Sequence, residues 1–240
     1  MTDAIIDYNA RLFRGGIYGR HHSARFGWLR EAVGRLGIQR ASVIELGCFD
    51  ARSVDYLPLQ IERYVGLDAG WESGVRDGAA YGLDAARERF ADDPRFHFVR
   101  SISPADIADL EGSFELGICL ETLEHIDPAL VDDYLAALAE KVTDCLLVTV
   151  PNEKGFALLA KTLGAKLLGV NRCSRYSPRE FFDALCGRMD RVPRDEHKGF
   201  DYAQLGRQIG RHFRQVAIAG IRPKMLPSGW RPTIGIVASH

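Results

Sequence analysis

The sequence predicts an α/β protein built on a doubly wound, mostly parallel sheet of seven strands. Short apolar runs alternate with segments of helical periodicity over roughly the first 150 of the 240 residues. The chain then ends in two β-rich runs, with no segment between them that could form a crossover helix. Because a parallel pair requires such a crossover, these two runs predict an antiparallel pair at the sheet edge.

Each element follows from its own pattern of residues. Apolar side chains recur at helical spacing from residue 20 to residue 36, and Gly37 ends the segment, which predicts the first helix. Similar patterns predict helices over residues 52–57, 78–91 and 128–141. The seven strands are predicted for the following runs: ASVIELG, IERYVGLDAG, RFHFVR, FELGICLE, CLLVTVP, FRQVAIAGI and PTIGIVAS.

No internal repeat or low-complexity linker interrupts the chain, so a single domain of residues 1–240 is predicted. Residues 153–210 contain no clear strand and predict a helical lid insertion over the ligand-binding face of the sheet. Four parts are therefore expected: an N-terminal helical segment (1–40), a core (41–152), the insertion (153–210) and a terminal strand pair (211–240).

The composition is that of an ordinary soluble protein, with 46% hydrophobic and 26% charged residues. No apolar run approaches the roughly 20 residues that span a membrane. The first residues lack a secretory pattern, so a cytoplasmic protein without a membrane span is expected. The five cysteines are scattered and form no CxxC pair, which predicts reduced thiols rather than disulfides or a zinc site.

The net charge of −1 conceals an asymmetry along the chain. Residues 41–170 carry 11 basic and 23 acidic side chains, whereas residues 171–240 carry 13 basic and 6 acidic ones. The basic excess near the end is compatible with a solvated helical face. A basic rim that attracts an anionic substrate is the alternative interpretation, and the sequence leaves both open.

Unusual residues lie where the first two core strands end, which is the edge at which open parallel sheets bind ligands. Gly47 follows the first strand and permits a tight turn with close backbone approach to a ligand. Asp68 ends the second strand, 23 residues after Glu45, and a carboxylate there can accept both hydroxyls of a ribose. A nucleoside-containing cofactor is therefore predicted. A dinucleotide dehydrogenase would require GxGxxG where this chain has GCFDAR.

Four segments in order and spacing make the chain resemble the class I S-adenosylmethionine-dependent methyltransferases: VIELGCFDA, YVGLDAG, FELGICLETLEHI and LLVTVPNEKG. The resemblance covers roughly residues 40–155. LETLEHI is similar to the signature of the ubiquinone-biosynthesis type O-methyltransferases. The resemblance implies a Rossmann-like sheet with an antiparallel last strand, S-adenosylmethionine as cofactor, and methyl transfer.

The resemblance also implies a set of cofactor-contacting residues, all at or just after the ends of the first four core strands. The set is Glu45, Gly47, Cys48, Asp68, Ala69, Gly70, Ser101, Ile102, Leu120 and Glu121. Glu45 would lie near the amino-acid end of the cofactor, and Asp68 would hold the ribose. Ala69 and Gly70 would border the adenine. Ser101 and Ile102 would flank it.

Three positions depart from the pattern of the family. The family usually has glycine where this chain has Phe49 and Ala51, and Phe49 is expected to narrow the turn. The family often has an acidic residue for the adenine amino group where this chain has Ser101. These departures weaken single contacts more than they weaken the overall resemblance.

His125 is the predicted catalytic residue. A hydroxyl acceptor keeps its proton at neutral pH, so its methylation calls for a base. The sequence places His125 in the first turn of the helix after the fourth strand, where it could face the pocket. A structural hydrogen bond that caps a loop is the competing role.

A divalent metal is a second hypothesis for the same stretch. Glu121, Glu124 and His125 have the spacing of one helix face, and His197 precedes an aromatic-acid-aromatic stretch. This pattern resembles the metal site of some ubiquinone O-methyltransferases and of the small-RNA 2′-O-methyltransferases. Many relatives with the same signature bind no metal, so a metal is left open but is not expected.

The predicted function is methyl transfer from S-adenosylmethionine to a small-molecule acceptor, at a hydroxyl oxygen of a sugar, phenol or quinone-like metabolite. One alternative is a metal-dependent RNA 2′-O-methyltransferase, which the basic C-terminal third favours and the net charge near zero disfavours. Another is a cofactor-binding protein without turnover. The identity of the acceptor and the oligomeric state are not determined by the sequence.

Overall fold

The computed structural model describes residues 17–71, 73–76, 79–167, 176–195 and 197–240. The strands are β1 (Arg40–Leu46), β2 (Gln60–Asp68), β3 (Gly74–Arg76), β4 (Ala79–Tyr81), β5 (Phe96–Arg100), β6 (Phe114–Leu120), β7 (Val142–Pro151), β8 (Gln215–Gly220) and β9 (Thr233–Ser239). The α-helices are α1 (Ile17–Leu36), α2 (Leu83–Arg89), α3 (Ala105–Ala108), α4 (Val131–Lys141), α5 (Gly155–Leu167), α6 (Pro178–Leu185) and α7 (Tyr202–His212). Short 3₁₀ segments occur at Arg52–Tyr56, Met189–Arg191 and Ser228–Trp230.

The main sheet has seven strands in the order β5-β2-β1-β6-β7-β9-β8. Strand β1 pairs in parallel with both β2 and β6, and β2 pairs in parallel with β5. Strands β8 and β9 pair antiparallel, as the absence of a crossover segment predicted. The predicted α/β fold with its seven strands is therefore confirmed.

Three predicted helices differ from the observed ones. Within the predicted range, Ala79–Tyr81 form strand β4, which pairs antiparallel with β3, and α2 starts only at Leu83. The Ser73 hydroxyl accepts a hydrogen bond from the Leu83 amide at 2.8 Å, so a residue from outside the predicted helix fixes its start. Helix α4 begins at Val131 rather than Pro128, and residues 52–57 form a 3₁₀ turn.

The helix α4 prediction failed at its start for a local reason. The Asp127 carboxylate accepts a hydrogen bond from the Ala129 amide at 2.9 Å, and the Asp127 carbonyl accepts one from Leu130. These bonds make a separate turn ahead of the helix, because an aspartate side chain can replace the backbone partner of a helical turn. His125 therefore does not lie in the first turn of a helix, and that part of the prediction is wrong.

The chain divides into two compact units. The first unit contains the chain up to Leu120 together with Ala137–Leu147, and the second contains Glu121–Ala136 and Val148–His240. Gly66 in the first unit is tightly enclosed, since a Cβ atom there would lie 2.8 Å from the Cys48 sulfur. The core of the second unit includes a cluster of buried side chains: Leu158, Ala184, Met189 and Val192. The organisation as a single domain stays a prediction.

The described helices include none with the length and apolarity needed to cross a membrane. Among the cysteines in the described ranges, three are buried free thiols: Cys48, Cys119 and Cys145. Cys186 is an exposed free thiol, and Cys173 lies outside the described residues.

Candidate functional site

The turn after β1 has an unusual backbone conformation. Gly47 has a φ of 77°, and its amide and that of Cys48 both donate to the Leu67 carbonyl, at 2.7 and 3.1 Å. Phe49 and Ala51 have φ values of 47° and 53°, in the left-handed region that favours glycine. Left-handed backbone costs an L-residue about 1–2 kcal/mol. The chain therefore keeps the backbone conformation that suits glycine at these two positions, and such strained positions cluster at ligand sites.

Asp68 links this turn to the end of the neighbouring strand. One carboxylate oxygen accepts a hydrogen bond from the Phe49 amide at 3.0 Å, and the other accepts one from the Gly70 amide at 2.8 Å. The Asp68 carbonyl accepts the Ser101 amide at 2.9 Å, so the ends of β1, β2 and β5 are connected through one residue. A carboxylate has about four acceptor positions, which leaves capacity for ligand hydroxyls.

Glu45 is buried inside the first unit, where one carboxylate oxygen accepts hydrogen bonds from the Ser53 and Tyr64 hydroxyls. Burial raises the pKa of Glu45 from 4.5 to about 7, and the two hydrogen bonds oppose that rise. Cys48 beside it is also buried, and burial raises the pKa of its thiol well above the usual range. Glu45 and Cys48 are therefore both part of the buried packing around the turn.

Exposed apolar side chains and a buried hydroxyl without a partner among the described residues follow the ends of β2 and β5. The Ser101 side chain is 4% exposed, and its hydroxyl has no hydrogen-bond partner among the described residues. Ile102 is 66% exposed and Trp71 is 77% exposed, so Trp71 is not a core residue. The Ala69 carbonyl accepts the Arg100 guanidinium at 3.0 Å. A ligand with a flat apolar ring and polar edges suits these groups.

The segment after β6 forms a turn that carries the predicted chemistry. It follows Leu120, the buried last residue of the strand, and its first residue, Glu121, has a φ of 55°. The Glu121 amide donates to the Thr149 carbonyl at 2.8 Å, and the His125 amide donates to Thr122 at 2.9 Å. The turn places Glu124 in a buried position and leaves His125 exposed.

Glu124, His125 and His197 converge within the second unit. Their candidate ligand atoms all lie within 4.8 Å of one another, and the two imidazole rings meet edge-on with centroids 4.7 Å apart. One carboxylate and two imidazoles are a typical donor set for divalent transition ions. Glu121, the fourth residue of the predicted set, does not belong to this group among the described residues.

A short hairpin carries His197 to this position. Asp195 and Lys198 exchange backbone hydrogen bonds of 3.0 and 2.9 Å across its tip. Gly199 has a φ of 74°, and a Cβ atom there would lie 2.7 Å from two backbone carbonyls, those of Val192 and Pro193. Only glycine suits so close a return of the chain.

Arg194 is a residue of this site that the sequence analysis missed. Its Nη2 atom donates to the carbonyls of Leu123, Glu124 and Ile126, at 3.2, 3.0 and 3.5 Å. These partners are backbone atoms 68 to 71 residues away along the chain. No residue pattern signals such contacts, because every residue carries the same carbonyl group.

Asn152, which follows the last residue of β7, has a structural role. It is fully buried, and its amide nitrogen donates to the Gly229 and Arg231 carbonyls, both at 3.0 Å. Its own backbone amide donates to the Pro232 carbonyl at 2.9 Å. Asn152 therefore anchors the loop before β9.

No family model matches the chain, and no curated protein matches it. Solved structures do resemble it. The methyltransferase domain of a bacterial Hen1 is 14% identical, covers 91% of this chain and 99% of its own, and has a TM-score of 0.57. A magnesium protoporphyrin IX methyltransferase from Synechocystis PCC 6803, solved with bound SAH, is 14% identical over 96% and 92% of the two chains, with a TM-score of 0.56.

An N-methyltransferase, NodS from Bradyrhizobium japonicum WM9, is 11% identical over 92% of this chain and 96% of its own, with a TM-score of 0.54. Identities this low establish the fold alone. The chain has the Rossmann-like fold that these methyltransferases share, with its antiparallel strand pair.

Proposed function

We propose that the protein is an S-adenosylmethionine-dependent methyltransferase that methylates a hydroxyl oxygen and holds a divalent cation on Glu124, His125 and His197. The convergence of these three side chains within 4.8 Å carries the proposal. The similarity of LETLEHI to the ubiquinone-biosynthesis type O-methyltransferases supports oxygen as the methylated atom.

The proposed cofactor residues at the ends of β1, β2 and β5 all belong to the first unit. When bound, S-adenosylmethionine supplies a methyl group on a positively charged sulfonium. Asp68 is proposed to hold the ribose hydroxyls, and Ser101 to offer its unpartnered hydroxyl to the adenine edge. Apolar cover of the ring is assigned to Ile102, which is otherwise exposed to solvent.

Calorimetry with S-adenosylhomocysteine tests the cofactor site. Asp68→Ala removes a charged acceptor of ligand hydroxyls, and such hydrogen bonds contribute about 1.5–3 kcal/mol. A loss of affinity of roughly 10- to 100-fold is therefore expected. Asp84→Ala, at a half-exposed acid in α2, is the matched control and should bind like the wild type. Unchanged affinity in Asp68→Ala would show that the cofactor site is wrongly assigned.

The acceptor chemistry is assigned to the second unit. A cation on the three side chains would bind acceptor oxygens and lower the pKa of a hydroxyl, which makes oxygen a better nucleophile. His125 is exposed and can also take a proton from the acceptor directly. The two roles differ in whether transfer depends on a metal.

Cobalt(II) binding, followed by its visible absorption, tests the metal. Wild-type protein is expected to bind Co²⁺, and His197→Ala and Glu124→Gln should each weaken binding by at least about tenfold because a ligand is lost. His97→Ala, at an exposed histidine of β5, is the control. Turnover with 3,4-dihydroxybenzoate, a vicinal diol, should fall after EDTA treatment. Full turnover in EDTA would eliminate the metal and leave His125 as the base.

A small-RNA 2′-O-methyltransferase is the second candidate, and a specific observation favours it. The 13 basic and 6 acidic residues in positions 171–240 would suit a polyanion. Labelled methyl transfer to a short RNA, abolished by periodate oxidation of its terminal diol, would select RNA. No labelling of RNA would leave the small-molecule acceptor.

A further inference from the structure

We propose that Arg194 is a positioning residue that holds the turn bearing Glu124 and His125 against the hairpin bearing His197. The inference deepens the proposed function and rests on it for the role of the three side chains. The guanidinium of Arg194 donates hydrogen bonds to backbone carbonyls of the turn, so Arg194 acts through the backbone that carries Glu124 and His125.

One guanidinium nitrogen serves three carbonyls of a single turn. The carbonyls of Leu123, Glu124 and Ile126 all accept from Nη2, so they converge on one point. Converging carbonyls carry partial negative charge, as at the end of a helix, and a cation there stabilises the conformation. Hydrogen bonds to charged groups contribute more than neutral ones, at about 1.5–3 kcal/mol. Arg194 thus stabilises the backbone shape that presents Glu124 and His125.

The guanidinium is itself held in place from its own side of the contact. It lies over the ring of Phe200, with its central carbon 4.8 Å from the ring centroid, and Phe200 is buried. Burial lowers the pKa of Arg194, while the charges of Glu124 and Asp127 raise it. A planar guanidinium suits this position because it can stack on a ring and donate in its plane at the same time.

The hairpin that carries Arg194 and His197 is anchored at its tip as well. Lys198 forms an ion pair of 3.1 Å with Glu180, and both side chains are largely shielded from solvent. Glu180 also accepts the Ser177 amide at 2.7 Å as part of the capping box of α6. The hairpin is therefore fixed to α6, so the reach of Arg194 across to the turn sets the spacing between His125 and His197.

The experiment compares Arg194→Ala and Arg194→Lys with Arg191→Ala, whose side chain is exposed three residues earlier on the same segment. Two readouts are used. One is the Co²⁺ dissociation constant, and the other is the NOE between the His125 and His197 ring protons in the metal-free protein. Loss of a residue that orients metal ligands commonly costs about 10- to 100-fold in metal affinity.

Arg194→Ala is expected to raise the Co²⁺ dissociation constant by about 10- to 100-fold and to lose the ring NOE. Added guanidinium ion should partly restore the Co²⁺ affinity and the ring NOE of this variant. Arg194→Lys should give values between those of the wild type and Arg194→Ala, because an ammonium is not planar and lacks the paired donors of a guanidinium. Arg191→Ala should match the wild type. A folded Arg194→Ala that keeps the wild-type NOE and dissociation constant overturns the inference.

The readouts separate this inference from the metal proposal. If the wild type binds no Co²⁺, the metal is wrong, and the NOE alone then decides the role of Arg194. If Arg194→Ala does not fold, Arg194→Lys becomes the deciding variant. If Arg194→Lys has the same melting temperature as the wild type, a weakened NOE supports the inference. An unchanged NOE overturns it.

Discussion

Replacing Glu45 with glutamine should change how the stability of the protein depends on pH. Burial raises the pKa of Glu45 from 4.5 to about 7, so the folded protein holds a proton that the unfolded chain releases. The contribution of Glu45 to the free energy of unfolding is therefore fully present below pH 4.5 and is lost as the pH rises through 7. A pKa difference of this size corresponds to about 3 kcal/mol.

Glu45→Gln keeps an oxygen that can accept from Ser53 and Tyr64 but removes the ionisation. Any cost of burying the amide is the same at every pH, so it cancels in the comparison. The stability of the variant relative to the wild type should rise by about 3 kcal/mol between pH 4.5 and pH 8. Urea unfolding at four or more pH values measures this difference.

Glu62→Gln, at an exposed glutamate of β2 paired with Arg40, is the control and should follow the wild type at every pH. A stability difference for Glu45→Gln that stays constant with pH would refute the reasoning. That result would mean that Ser53 and Tyr64 keep Glu45 ionised in the folded state despite its burial.

Substitutions at three further positions test the local structure by urea unfolding. Phe49→Gly should be more stable than Phe49→Ala by about 1 kcal/mol, since glycine adopts a φ of 47° without the steric cost that alanine has there. Equal stabilities of the two variants would show that the backbone at residue 49 is not strained. Asn152→Ala should lower the free energy of unfolding by about 1–3 kcal/mol, because it removes the donor to two carbonyls. Asn152→Asp should lower it further, because a carboxylate oxygen would then face those carbonyls. A less stable Asn152→Ala than Asn152→Asp would argue against this role of Asn152. Gly117→Ala should lower the free energy of unfolding by about 1–3 kcal/mol, because its methyl group would lie 2.7 Å from the Val142 side chain. Wild-type stability of this variant would show that the surrounding structure can shift to make room for the methyl group.

The sequence was sufficient to place the seven strands of the main sheet along the chain. Apolar runs and helical periodicity are local patterns, so the seven strands could be placed without knowing their neighbours. The absence of a crossover segment before PTIGIVAS was enough to predict the antiparallel pairing of β8 and β9, because connection length limits strand direction. The start of α2 was missed because Ser73, from outside the helix, fixes it.

The candidate site depended more on tertiary structure. The pattern ExxEH together with His197 predicted four candidate metal ligands. Three of them, Glu124, His125 and His197, come together at a turn that stands where a helix was predicted. The contacts that do this come from Arg194, whose partners are carbonyl oxygens about 70 residues earlier. Side-chain patterns along a chain record burial and local turns. They do not indicate which distant backbone groups a side chain will contact, and in this protein such contacts determine the geometry of the proposed acceptor site.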